Sequence, residues 1–74
     1  MIINYNLNII ANNIRILRSK RKWKFSYIAR KTGIEEHRLR KMESKEAIPK
    51  YKELYKLSRL YDVTIDDLVF KKLE

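Results

Sequence analysis

The sequence predicts an all-α fold, a compact domain of five short helices. Three observations carry this. The chain has one Gly and one Pro, which leaves little of the turn chemistry that a many-stranded sheet needs. Apolar residues recur at three- and four-residue spacing along most of its length. Hydrophobic residues make up 45% of 74 positions, enough for one small packed core.

Met1 to Leu7 read as an N-terminal arm, and residues 8–74 as the folded domain. Ile10, Ile14 and Leu17 space a first helix from about Asn8 to Lys22. The dense run "SKRKWK" ends it, with Trp23 as an apolar plug. A second helix covers Phe25 to Lys31, with Ile28 and Ala29 turned inward. Lys24 stands where a Ser, Thr or Asp cap is expected, so the first amides of that helix have a poorer partner. Gly33, the sole glycine, fits a left-handed position that closes the second helix. A third helix, Glu36 to Glu43, buries Leu39 and Met42. It sets His37, Arg38, Arg40 and Lys41 on its sides and outer face, with Glu35 at the cap, where a carboxylate suits the positive helix end. Pro49 suits the first turn of a fourth helix that runs to about Tyr61. Asp62 tolerates the left-handed conformation that would close it. Thr64 and Asp67 form an Asp variant of the capping box and open a fifth helix, apolar through Leu68, Val69, Phe70 and Leu73.

Lys and Arg number 18 against 9 Asp and Glu, and the net charge is +9. Twelve basic and three acidic side chains stand between Arg15 and Lys45, so this segment carries the whole excess. Such an excess suits a polyanion, either nucleic acid or an anionic membrane surface. The plainer alternative is that these residues only solvate helix faces. Cysteine is absent and there is one His, so no nucleophile–base pair and no metal cluster can be assembled. No catalytic residue, cofactor or enzymatic activity is expected. The opening "MIINYNLNII" is broken by Asn4, Asn6 and Asn8 and has no basic leader or cleavage site. No apolar run approaches the roughly 18 to 20 residues of a membrane span, so no membrane partner is expected and the location should be cytoplasmic.

Five short helices with a sharp Gly turn between the second and third make a helix-turn-helix arrangement. The pieces "IRILRSKRK", "YIARKTGI", "RLRKMES" and "IPKYKELYKLSRLYDVTIDDL" resemble the XRE family, the lambda-repressor and Cro-like DNA-binding domains, over about residues 12 to 70. The resemblance implies a sequence-specific regulator of transcription, associated with the nucleoid and bound to double-stranded DNA. It would be a homodimer on a near-palindromic operator, with helix 35–43 in the major groove. Glu36, His37, Arg38 and Lys41 would read base edges. Arg18, Lys20, Lys22, Lys24, Arg40, Ser44, Lys45 and Lys50 would hold phosphates. Arg18 and Glu43 would form a structural ion pair. Leu68, Phe70 and Leu73 are the candidate dimer surface; the alternative places Leu68 in the core and Phe70 as a cover over the first helix. Three departures stand out. Lys24-Phe25 replaces a common Ser-Gln, Lys45 replaces a common Gly, and Glu35 replaces a Ser or Thr cap.

The competing reading is a protein-interaction module on the same fold, antitoxin-like or an anti-regulator, with DNA binding secondary or lost. The arm or the fifth helix would meet the partner. The two acids at the front of the third helix favour it. Non-specific attachment to an anionic surface would need only the charge.

Overall fold

In the computed structural model, which describes residues 6–73, the helices are α1 (Leu7–Arg21), α2 (Phe25–Thr32), α3 (Glu36–Glu43), α4 (Tyr51–Tyr61) and α5 (Ile65–Phe70). No strand occurs among the described residues. The five expected helices are all present, with most ends within a residue or two; α5, expected to include Leu73, stops at Phe70, where Lys71 turns extended.

Each shift has a local cause. Leu7, assigned above to the arm, is the first residue of α1. The Asn6 carboxamide caps it, accepting from the amides of Asn8 and Ile9 at 3.0 and 3.4 Å. The rest of the expected arm, Met1 to Tyr5, lies outside the described residues. α1 stops where Lys22 turns left-handed, at φ 56°, and the amides of Lys22 and Trp23 reach the carbonyls of Ser19 and Arg18. α2 runs one residue further than expected, to Thr32. That hydroxyl donates to the Ile28 carbonyl at 2.8 Å and accepts from the Ile34 amide at 3.1 Å. Gly33 follows at φ 77°, the left-handed residue that turns α2 into α3. Pro49 does not open α4. Lys50 is the cap, because the Glu53 carboxylate accepts its amide at 2.8 Å, and Pro49 is buried one residue earlier. Asp62 closes α4 at φ 57°. The Thr64 and Asp67 box is formed, at 3.0 and 3.4 Å.

One core joins all five elements. Ile10 and Ile14 of α1, Ile28 of α2, and Leu39 and Met42 of α3 are buried. Leu54, Leu57 and Tyr61 of α4, and Leu68 and Val69 of α5, complete it. α1 packs on α3 and α5, α2 on α3 and α4, and α4 on α5. The α2–α3 pair is thereby mounted on a base of α1, α4 and α5. Trp23, in the link from α1 to α2, stacks on Tyr61 at 5.4 Å between ring centres and meets Tyr27 at 5.0 Å. The Tyr61 hydroxyl is buried without a hydrogen-bond partner among the described residues. Burial, and secondarily the Glu43 carboxylate, push its pKa up.

A polar residue in the apolar stripe of α1 closes the other end. Asn13 is buried between Ile10 and Ile14. Its Nδ2 lies 3.2, 2.8 and 2.6 Å from the carbonyls of Asp67, Leu68 and Lys71. Its Oδ1 accepts from the Leu73 amide at 3.1 Å. The carbonyls of Asp67 and Leu68 belong to the last turn of α5, which leaves them unpaired, and that of Lys71 follows it; the two N–H groups of one α1 carboxamide are shared among the three.

Leu68 is therefore not a dimer-surface residue. It is fully buried in this core, and the alternative raised for it above holds. Phe70 is 59% exposed and Leu73 is partly exposed. Among the described residues no helix is long and apolar enough to cross a membrane.

Candidate nucleic-acid interface

α3 has two distinct sides. Leu39 and Met42 face the core. Glu36, His37, Arg40 and Lys41 point away from it, with His37, Arg40 and Lys41 exposed and Glu36 half-buried. The helix starts at Glu35, whose backbone is extended at φ −60°, ψ 141°, but whose exposed side chain makes no capping hydrogen bond. The carboxylate thus meets the helix dipole only through space.

Charged clasps hold α3 at both ends. At its last residue, Glu43 accepts from Arg18 Nε at 2.7 Å and Nη2 at 3.0 Å, a bidentate pair. The Glu43 side chain is 9% exposed and Arg18 24%. Hydrogen bonding to Glu43 raises the pKa of Arg18 further. At the front, Arg38 reaches sideways to α4. Its Nε and Nη2 donate to Glu53 at 2.9 Å each, and Nη2 also donates to the Ile48 carbonyl at 3.0 Å. Glu53 holds the Lys50 amide as well, so one carboxylate caps α4 and fastens it to α3. The Arg38 hydrogen bond holds the Glu53 pKa below the ordinary carboxylate range.

Arg38 was expected among the base readers. Its guanidinium is instead directed at α4 and the loop before it, where it is structural.

A third arrangement joins three helices at one ring. The guanidinium carbons of Arg18 and Arg40 lie 4.4 and 4.6 Å from the centre of Phe25. Arg40 Nη2 is also 3.4 Å from Glu36 Oε1, one turn back on α3. A continuous path runs from Glu36 through Arg40, Phe25 and Arg18 to Glu43. It brings the end of α1, the start of α2 and the outer side of α3 together. Lys24, beside Phe25, is exposed at the start of α2, and no side chain caps that helix. Lys20 and Lys22 are exposed just before it.

The loop after α3 folds tightly on it. The amides of Glu46 and Ala47 reach the Lys41 carbonyl at 2.9 and 3.2 Å. The Ser44 hydroxyl lies 3.1 Å from both that carbonyl and a Glu46 oxygen, so its hydrogen is committed within the loop. Lys45 is left-handed at φ 69°, which explains why a glycine suits that position. Lys45 and Lys50 are exposed.

Three features escaped the sequence reading. The Arg38–Glu53 pair spans fifteen residues and leaves no periodic trace. The Phe25 platform combines residues from three helices. Asn13 did leave a signal, a carboxamide inside an apolar stripe, which marks a buried polar partner.

The family of Cro/C1-type HTH DNA-binding domains matches residues 13–69 of the chain. This agrees with the XRE resemblance drawn from the sequence. No curated protein matches the chain. Among solved structures, the N-terminal DNA binding domain of SinR from Bacillus subtilis is similar, with a TM-score of 0.82 and 26% identity. The likeness covers 90% of this chain and 99% of that domain.

Proposed function

The chain belongs to the Cro/C1-type helix-turn-helix DNA-binding domains, and from that premise we propose that it is a sequence-specific transcriptional regulator that reads double-stranded DNA with α3. The observation that carries this is the division of α3. Its inner side is locked by core and ion pairs, while Glu36, His37 and Lys41 are turned outward on a helix that a major groove about 12 Å wide accepts. Lys41 donates to guanine O6 or N7, His37 donates or accepts, and Glu36 accepts from a cytosine amino group.

Lys20, Lys22, Lys24, Lys45 and Lys50 supply phosphate contacts and general attraction, with Arg18 and Arg40 held beside them at Phe25. Ser44 contributes through its backbone, because its hydroxyl is engaged. One short helix reads few base pairs, so the working form is a homodimer on a near-palindrome with half-sites roughly 34 Å apart. Phe70 and Leu73 are the apolar residues available for that contact. This role places the protein in the cytoplasm, on the nucleoid.

The competing module reading drew on Glu35 and Glu36. The Arg40 guanidinium beside Glu36 weakens that support, because it offsets the charge that would repel phosphates. The likeness to the SinR DNA binding domain also favours the DNA reading.

Selection of bound sites from a random duplex pool tests the proposal. A preferred half-site should emerge. Lys41→Ala should relax preference at one base pair by about 1–3 kcal/mol, whereas Lys24→Ala should weaken all sequences alike and lower the salt slope. Equal binding of every duplex, with Glu36→Ala only tightening it, would end the sequence-reading proposal.

A further inference from the structure

The outward side of α4 combines exposed aromatic rings with several cations. Leu54, Leu57, Ser58 and Tyr61 are buried on one side of this helix. The opposite side carries Tyr51, Lys52, Tyr55, Lys56 and Arg59, all exposed. Tyr51 is 65% and Tyr55 50% exposed, which is unusual for rings on a domain that buries its other α4 tyrosine completely. The same side continues into an open groove between α4 and the end of α2, lined by Lys31, Thr32, Tyr55, Lys56, Arg59 and Leu60. No acidic residue lines it. Lys31, Lys56 and Arg59 form no ion pair with any described residue.

We infer that this face docks an acidic amphipathic segment of a protein partner. Both halves of its chemistry point there. The cations call for carboxylates, and the exposed rings, with Leu60 beneath, call for apolar side chains on the same segment. A DNA backbone could use the cations and accept from the tyrosine hydroxyls, but it leaves the ring faces and Leu60 without apolar partners. A second copy of this chain satisfies neither well, because the face would meet its own cations. None of these residues is among those proposed above to meet DNA, and Tyr51 alone adjoins one of them, Lys50, so the duplex and the partner segment draw on different side chains.

The test uses fluorescence anisotropy with two labelled peptides of about 15 residues, long enough to form a helix on contact. Both carry the same glutamates; one has a leucine stripe at i, i+4 spacing and the other has serines there. The leucine peptide should bind the wild-type protein about tenfold more tightly than the serine peptide. Tyr55→Ser should erase most of that difference while leaving affinity for a duplex within about twofold. Lys56→Gln should weaken both peptides and reduce the salt dependence of their binding. Helical circular dichroism checks that each variant is folded. The inference is overturned if the two peptides bind alike, which reduces the face to bare charge. It is equally overturned if Tyr55→Ser weakens the duplex and spares the leucine peptide, which gives the face to DNA. A duplex that fails to bind the wild-type protein sinks the proposed regulator function and leaves the peptide comparison standing.

Discussion

The two ends of this small domain are fastened by different chemistry. The α2–α3 pair adds charged clasps to its buried Ile28, Leu39 and Met42: Arg18 with Glu43, Arg38 with Glu53, and two guanidiniums against Phe25. The opposite end, where α5 meets α1, is held by Leu68, Val69 and one neutral carboxamide, Asn13. Charged clasps respond to salt and pH; a neutral buried hydrogen-bond hub does not. The end proposed to meet DNA is thus the end whose charged clasps a polyanion can perturb.

Breaking the neutral end should give the largest effect. Asn13→Ala strands the α5 carbonyls and the Leu73 amide, and should cost about 2–3 kcal/mol of stability, little changed by added salt. Denaturant melts at low and high salt measure it. A loss that shrinks in salt would mean the two ends do not differ in kind. Glu43→Ala leaves Arg18 partly buried without its carboxylate. Because the pair is partly exposed, about 1–2 kcal/mol is expected, and the gap from wild type should narrow in molar salt. Should that gap hold constant, the pair is not acting by charge.

The Arg38–Glu53 clasp sharpens the contrast through pH. The Glu53 carboxyl is held below its ordinary range, so the folded state favours the ionised form. That stability is fully present above the unfolded carboxylate pKa of about 4.3, and is lost as pH falls through the lower folded value. Glu53→Gln should flatten the acid limb of a stability–pH curve there. An unaltered limb would assign acid sensitivity to other groups. Tyr61→Phe should have the smallest effect, between zero and about 1 kcal/mol of added stability, since it removes a buried hydroxyl that has no partner. A clear loss would reveal a hydrogen bond from that hydroxyl.

The fold was largely legible in the sequence, and for definite reasons. Apolar spacing reports which side of a helix is buried, so the α1 and α3 stripes could be read directly, whereas on α4 the same spacing wrongly counts Tyr51 and Tyr55, both exposed, with Leu54 and Leu57. Gly33 and Asp62 announced the left-handed stops because few residues tolerate that backbone. The Arg18–Glu43 pair came from the family resemblance. What a period cannot report is the partner across space. It could not say that Arg38 meets Glu53, that Phe25 seats two arginines, or that Leu68 points inward while Phe70, two residues on, points out. The Glu36 puzzle has the same origin. Sequence shows an acid where the family resemblance implies base reading, and only the folded helix shows Arg40 beside it.

The carboxamide of Asn13 has one more consequence. It grips the chain at Leu73 as well as the end of α5, so the backbone leaves the domain from a defined point beside α1. A fluorescent reporter or a second binding module fused directly after Leu73 would start at that held point. Its direction of departure would be set by α1, and Asn13→Ala would release it. A distance label on such a fusion, read with and without the substitution, turns a buried side chain into a hinge that can be switched by design.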